Sequence, residues 1–325
     1  MSDLQFRSIE RADIGDVLSL FRRVFRRDGS AAYYEWQFFD CPFGGGHSQG
    51  VWLDGKLVAH IGYTPRIATV NGREGRVLSN HTVMSDPDHR GKGYYSKLVS
   101  WALNRFAGEG WDMVLSHPNR ESHPVQMMQP GYADVAVLPA LSWRSREVTS
   151  HPSDVVLDER FSNCTEFGDE YGRLCEVAPG GALYAFKRSP GYLSWRYDRH
   201  PVSTYFLCEH RSAGKLQSAA IAKLYPQDKP ARVNIVEWLC SDEDRDVAEK
   251  PIKEILDLAG RAGLEVQLWH SVYDRTRRYW LERLGFENGV PAFYFGVYSL
   301  QNAERLGPYT DFRHWYTTMG DHDVF

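Results

Sequence analysis

The sequence repeats itself at a fixed offset, and that constrains its fold more than any single motif. Trp36-x5-Pro42 recurs as Trp195-x5-Pro201, and Gly55-Lys56-Leu57 recurs as Gly214-Lys215-Leu216, both at an offset of 159 residues. Two matches at one offset in a 325-residue chain imply two copies of one plan, and the length also suits two domains of roughly 150 residues. The order of predicted elements repeats as well. A helix-like segment precedes each Trp, and a hairpin surrounds each Gly-Lys-Leu. A helix follows, over Tyr94–Phe106 in one half and Asp246–Arg261 in the other, and then a short strand, Trp111–Leu115 and Glu265–Trp269. Each half next carries a Gly-aromatic step, Gly131-Tyr132 and Gly285-Phe286, now at an offset of 154, so about five residues drop out of the second copy. Helix, antiparallel meander, helix, strand, helix and strand is the order of an α+β domain with a mixed, mostly antiparallel sheet flanked by helices. We expect two such domains in tandem, residues 1–150 and 151–325.

The two copies differ at one loop. In the first, Asp86-Pro87-Asp88-His89-Arg90-Gly91-Lys92-Gly93-Tyr94-Tyr95 lies between a strand-like run, Arg76–Met84, and a helix whose apolar face carries Tyr95, Leu98, Ala102 and Phe106. A helix that begins at glycines presents unpaired N–H groups and the positive end of its dipole, and it lets a polyphosphate approach the backbone. Neither Gly-x4-Gly-Lys-Ser/Thr nor Gly-x-Gly-x-x-Gly is present, so this is not a Walker or a dinucleotide loop. The corresponding stretch of the second copy, Ser241–Glu249, has no glycine, and five of its nine residues are acidic. Acids stabilise a helix start but repel a pyrophosphate. Only the first copy is expected to bind one.

Charge and composition narrow the partners. A net charge of −4 and a pI near 6.3 exclude a protein built mainly to bind nucleic acid. Arg22, Arg23, Arg26 and Arg27 cluster on a helix expected over Asp13–Arg27, whose other face is apolar, and they read as a solvated rim. The N-terminus has no signal-peptide pattern and no apolar run approaches ~18 residues, so a cytoplasmic protein without a membrane partner is expected. The five cysteines are scattered without Cys-x-x-Cys spacing, and His81, His89, His117 and His123 lack carboxylates or thiols at ligand spacing, so no metal is expected. Oligomeric state stays open between a monomer, as an internal pseudo-dimer, and a homodimer.

Arg90-Gly91-Lys92-Gly93 after Asp86-Pro87-Asp88-His89 resembles the Arg-x-x-Gly-x-Gly/Ala loop of the Gcn5-related N-acetyltransferases, the GNAT superfamily. The order of elements resembles that family too, so the likeness covers most of the chain as two tandem GNAT-like domains. The resemblance implies acetyl-CoA as acyl donor, its pyrophosphate held by Arg90, Gly91, Lys92 and Gly93 with Tyr94 and Tyr95 at the helix start. Tyr95 stands where the family usually has Gly or Ala, which implies a roomier last turn or displaced phosphates. It also implies that the strand end Val83, Met84 and Ser85 supplies oxyanion donors and binds the pantetheine arm. The family's usual thiolate acid, a Tyr four residues before the Gly-aromatic step, is Met127 here and Leu281 in the second copy. Either another group protonates the thiolate or it leaves unassisted, which a thiol pKa of about 8.5 permits. Ser116-His117-Pro118-Asn119 resembles the Phe-Pro-Asn loop of a subset of the family, with His117 in the Phe position. Asn119 is then expected to contact CoA or acceptor through its amide, with Ser122 and His123 as substitutes for the acid; a simple turn is the alternative.

For the base, strand alternation puts Val77, Ser79, His81 and Val83 on one face. His81, with a reference pKa of about 6.5, suits deprotonation of an ammonium, the alternative being a histidine satisfied by neighbouring strands. The C-terminal segment His314–Phe325 is too aromatic for a solvated tail. By resemblance to tandem, Eis-type acetyltransferases, Asp321, Asp323 or the Phe325 carboxylate is expected at the acceptor site. Tyr33, Tyr34, Trp36, Phe38 and Phe39 read as core before they read as a stacking surface for a flat acceptor. The function implied is an N-acetyltransferase moving an acetyl group from acetyl-CoA to a primary amine of a small molecule, an amino sugar among the acceptors, by direct attack in a ternary complex. The alternatives are a Fem-like aminoacyltransferase and a non-catalytic acyl-CoA-binding or interaction module.

Overall fold

The computed structural model describes residues 3–138, 140–145, 157–165, 167–226, 228, 231–241, 243–270, 274–290 and 293–323. The chain forms two compact units, and these interleave in sequence: Met1–Ala136 with Phe293–Thr310, and Val137–Ala292 with Asp311–Phe325.

The first unit opens with β1 (Leu4–Ser8), α1 (Ile14–Phe25) and α2 (Ala31–Phe38), then the meander β2 (Gln49–Leu53), β3 (Lys56–Val70) and β4 (Arg73–Ser85). Its hairpins turn at Asp54-Gly55 and Asn71-Gly72, all four residues having positive φ, as two-residue turns matched to strand twist require. α3 (Tyr94–Gly108), β5 (Met113–Ser116), α4 (His123–Met127) and β6 (Tyr132–Val137) follow. β4 pairs antiparallel with β3 and parallel with β5, so the sheet is mixed. One face packs Leu98, Val99, Ala102 and Phe106 of α3 on Ile61, Tyr63, Leu78 and Val114. The other packs Val17 and Leu20 of α1 and Tyr34 and Phe38 of α2 on Leu57 and Met84. Each such buried aliphatic or aromatic side chain contributes about 1.5–3 kcal/mol, and together they hold β4 rigid between two layers.

The second unit contains β7 (Ala140–Arg144), β8 (Phe161–Asn163), α5 (Glu170–Val177), β9 (Tyr184–Phe186) and α6 (Pro190–Leu193), which runs on into a π-helical turn, Ser194–Asp198, holding Trp195. The meander β10 (Phe206–Ser212), β11 (Lys215–Tyr225) and β12 (Arg232–Leu239) turns at Ala213-Gly214, again both at positive φ. α7 (Arg245–Ala262), β13 (Glu265–Trp269), α8 (Arg275–Arg283) and β14 (Glu287–Asn288) complete it. Asp244 caps α7 by accepting the Val247 N–H, and Glu249 binds Arg245 and Lys253, so these acids of Ser241–Glu249 serve their own helix. Ile252, Ile255 and Ala259 of α7 pack on Val233, Ile235 and Val266.

The repeat is therefore structural: two mixed, mostly antiparallel sheets flanked by helices, with Trp36 and Trp195 buried at matching places. The units are nevertheless not the contiguous halves 1–150 and 151–325. β7 pairs with β13 in the second sheet, and β15 (Tyr294–Ser299) pairs with β5 and lies between β5 and β6 in the first. Each copy thus contributes one late strand to the other's sheet. An alternating apolar run specifies a strand and its inward face, but its neighbour is chosen by the tertiary contacts it completes. Among the described residues no helix is long and apolar enough to cross a membrane.

Candidate active site

The glycine loop is held from below by a carboxylate. Asp86, at the end of β4, is buried, and its side chain accepts from Arg23 Nε at 2.9 Å, Lys56 Nζ at 3.0 Å and the Asp88 N–H at 3.0 Å, with His89 Nδ1 at 3.4 Å. Burial alone would raise its pKa, but the bonds from Lys56, the Asp88 amide and His89 outweigh it and hold the carboxylate well below its usual range. Arg23 therefore does not belong to a solvated rim. It reaches inward to Asp86 and the Leu57 carbonyl, whereas Arg22 pairs with exposed Asp28 as a rim residue would.

Above this anchor the chain passes Arg90, Gly91 and Lys92 to Gly93, which caps the 15-residue α3. Gly91 and Gly93 have φ of +75° and +74°, and a Cβ on either would meet no atom within 4 Å. Their glycines answer a conformational need, and the space over them is open. Arg90 and Lys92 are exposed and make no ion pair among the described residues. Open backbone, a helix start and two uncommitted cations fit a diphosphate. Tyr95 does not narrow this mouth, because its ring packs against the core between α3 and the sheet and its hydroxyl is buried.

Beside the loop the sheet forks. β4 pairs with β5 over Val77–Ser79 and Met113–Leu115, and the pairing stops there. The Asp86 N–H returns to the Val58 carbonyl of β3 at 2.9 Å, so alternation turns the Ser85 amide away from β3, toward the fork, and the Val83 N–H points opposite to the Thr82 carbonyl, which faces His60 of β3. A bulge at Thr82 and Val83 lies just before Met84 and Ser85. His81 opposes Gly62 and Met84 opposes His60, leaving Thr82 and Val83 against Ile61 alone, with Thr82 at φ +50°. The bulge overturns the expected alternation. Leu78 lies on the α3 face, which puts Ser79 and His81 on the other, yet Val83 packs with the α3 core and Met84 with the α1–α2 core. An extra residue reverses the faces, so Val83 does not share one with His81. His81 itself is buried, opposite Gly62, against which the Phe38 ring packs.

The loop after β5 is built around Asn119. Its Oδ1 accepts from the amides of Glu121 and Ser122 at 3.0 and 2.9 Å and from Ser122 Oγ at 3.0 Å. The carboxamide oxygen is thus committed to the turn, and a contact to ligand falls to the amide nitrogen. His117 is buried and stacks on Phe295, 5.0 Å between ring centroids. His123 stacks on Tyr294 at 3.7 Å and its Nε2 lies 2.8 Å from Asp134, which also accepts from Tyr132 Oη at 3.0 Å. Met127 is exposed on α4.

Of the tail, Phe325 lies outside the described residues. Asp321 is buried within the second unit, where Arg188 binds it at 2.7 Å and Glu237 at 2.8 Å. Tyr34, Trp36 and Phe38 are core. Sequence reasoning passed over Asp86 as an anchor, although an Asp before Pro at a strand end is a cap signal; it read Tyr34 only as core, and it passed over His60 and Thr82, for which no local signal exists.

The family model of the acetyltransferase (GNAT) domain matches residues 5–132. This chain carries a GNAT domain. Among solved structures, a GCN5-related N-acetyltransferase from Anabaena variabilis is 12% identical, covering 92% of this chain and 73% of that one with a TM-score of 0.67. A probable N-acyltransferase from Enterococcus faecalis is 15% identical, with 91% and 72% covered and a TM-score of 0.64. The N-myristoyltransferase of Saccharomyces cerevisiae, solved with bound myristoyl-CoA, is 13% identical, with 92% and 79% covered and a TM-score of 0.63. At these identities the likeness is one of fold, and it spans both units. No curated protein matches the sequence. In the GNAT domain, the forked strands and the glycine loop come from residues 73–116, inside the matched segment.

Proposed function

We propose that the chain is an N-acetyltransferase that carries an acetyl group from acetyl-CoA to a primary amine of a small molecule, such as an amino sugar, by direct attack in a ternary complex. The observation that supports it most is the anchored loop. Two left-handed glycines, with uncommitted Arg90 and Lys92, sit on the buried Asp86 ion cluster at the mouth of the fork. Arg90, Gly91, Lys92, Gly93 and the start of α3 at Tyr94 would hold the pyrophosphate, and the amides of Val83 and Ser85 face the fork where the pantetheine arm would lie. Bound there, acetyl-CoA supplies a thioester whose carbonyl carbon takes the amine and whose sulfur leaves as thiolate. The chain's own tasks are then three. The β4 amides after the bulge stabilise the developing oxyanion, His81 accepts the proton that the attacking amine gives up, and His123, oriented by Asp134, returns a proton to the sulfur. Asn119 shapes the loop that presents His123. The second copy, without glycines at Ser241–Glu249, is a scaffold that binds no CoA at that stretch, and the protein acts in the cytoplasm.

The test is turnover. The purified chain with acetyl-CoA and a panel of primary amines, amino sugars included, should release free thiol only when amine is present. His81→Gln should lower kcat, and an unchanged kcat removes His81 from the mechanism. Acetyl-CoA binding without thiol release from any amine would mark an acyl-CoA-binding module instead.

A further inference from the structure

Thr82 stands out among the non-glycine residues described at positive φ. Arg26 caps a helix, and Asp54, Asn71 and Ala213 lie in hairpin turns, but Thr82 lies inside a strand and is β-branched. A β-branched residue in the left-handed region carries about 1–2 kcal/mol of strain, and such strain persists only where surrounding structure enforces it.

The enforcement comes from two buried side chains. His60 Nδ1 lies 2.8 Å from the Thr82 carbonyl oxygen, and His60 Nε2 lies 2.7 Å from the Tyr34 hydroxyl. A carbonyl only accepts, so Nδ1 bears the hydrogen. In the neutral ring Nε2 is then an acceptor, and Tyr34 donates to it. His60 is fully buried and Tyr34 nearly so, with their rings packed beside Phe38. The chain of bonds runs from α2, through β3, to the strained peptide of β4.

The internal repeat supplies an independent comparison. At the offset of the Trp36 and Trp195 match, Tyr34 corresponds to Leu193. His60 corresponds to Ala219 by the same offset, or to Ala220 by cross-strand register, since Met84 opposes His60 and Trp238 opposes Ala220. The second sheet also has a bulge, with Val236 as the extra residue between Ile235 and Glu237, but Val236 is not at positive φ. The copy with the glycine loop has the left-handed bulge and both polar supports. The copy without the loop has none of the three.

We infer that Tyr34 and His60 are positioning residues, which grip the Thr82 carbonyl and so hold the bulge in the turn that aims the amides of Val83 and Ser85 into the fork. This rests on the acetyl-transfer reading, since those amides matter for rate only if an acyl oxyanion forms beside them. Losing one oxyanion donor outright lowers kcat by about 10²–10³-fold, and a loosened donor should lose less.

His60→Leu should therefore lower kcat about tenfold or more while the KM for acetyl-CoA stays within about twofold, because the phosphate loop is untouched. His60→Asn, which can keep an N–H near the Nδ1 position, should lose less than His60→Leu. Tyr34→Phe should lower kcat by a smaller factor. The deciding variant adds Thr82→Gly to His60→Leu: glycine adopts positive φ unaided, so kcat should return to within about threefold of wild type. A merely structural role for His60 predicts no such rescue, so an unrescued double variant, or a His60→Leu enzyme with wild-type kcat, overturns the inference. If His60→Leu does not fold, Tyr34→Phe and one measurement on the wild-type protein still decide. The ¹⁵N spectrum of its histidines should contain a neutral Nδ1–H imidazole assigned to His60, and an Nε2–H tautomer refutes the bond to Thr82. Absence of acetyl transfer by the wild type would sink the functional reading, while the tautomer would still judge the pair.

Discussion

Replacing Asp86 with alanine should loosen the glycine loop from beneath and destabilise the first unit by about 3 kcal/mol. Three contacts disappear, from Arg23 at 2.9 Å, Lys56 at 3.0 Å and the Asp88 N–H at 3.0 Å. A hydrogen bond to a buried charge contributes about 1.5–3 kcal/mol. The Arg23 and Lys56 side chains are 32% and 46% exposed and recover water when released, which reduces each to about 1 kcal/mol. The lost cap adds about 1 kcal/mol. Asp86→Asn keeps a capping oxygen and should lose about 1–2 kcal/mol. Calorimetry at pH 7 should show a melting temperature lower by about 6–12 °C for the alanine variant, and titration should show weaker acetyl-CoA binding in parallel. The pH dependence has a definite sign. The folded carboxyl lies well below its ordinary value, so the unfolded chain takes up the proton first as pH falls. The stability that Asp86 contributes is fully present above about pH 5 and is lost through pH 4 toward the folded value, so wild type and Asp86→Asn should converge in acid. A variant melting within about 1 °C of wild type at pH 7, or a gap that persists unchanged at pH 3, would refute the anchor.

Gly93→Ala forces a left-handed alanine into open space at φ +74°, so stability should fall by about 1–2 kcal/mol in urea unfolding while the KM for acetyl-CoA rises; unchanged stability would mean the cap relaxes. Arg90→Gln and Lys92→Gln touch no ion pair among the described residues, so they should leave melting within about 0.5 kcal/mol of wild type, raise the KM for acetyl-CoA and flatten its dependence on salt; equal KM values would separate these cations from the donor. Arg188→Met strands Glu237 and Asp321 in the second unit, where burial, together with the negative charge of Asp321, already raises the pKa of Glu237, and should cost about 3–5 kcal/mol in chemical unfolding. A loss below about 1 kcal/mol would mean the carboxylates share a proton without the guanidinium.

Much of the fold was legible because its signals are local. Periodicity located α3 and α7 to within a few residues and β13 at Glu265–Trp269, since the apolar face of a helix or strand recurs within one window. Glycines marked the hairpins and the turn before α3 because the positive φ found at Gly55, Gly72, Gly91 and Gly93 carries little cost only for glycine. The loop occurs once, and that alone distinguished the two copies.

What failed was nonlocal or turned on one inserted residue. Alternation placed Val83 with His81 because a period of two has no term for a bulge, and Thr82 bears no composition signal for one. Arg23 read as rim because a helix pattern shows which side is polar but not that Asp86, 63 residues on, waits beneath one of its cations.

The sequence by itself determined that one plan occurs twice, where helices such as α3 and α7 and strands such as β5 and β13 run, and which copy keeps the glycine loop, because each follows from spacing along the chain. Only the tertiary structure decided that β7 and β15 trade sheets, that Asp86 anchors the loop, and that Tyr34 and His60 grip the bulge at Thr82. Strand partners and buried polar bonds are chosen among surfaces that meet in space, and their energies depend on exclusion of water that no stretch of sequence can enforce alone.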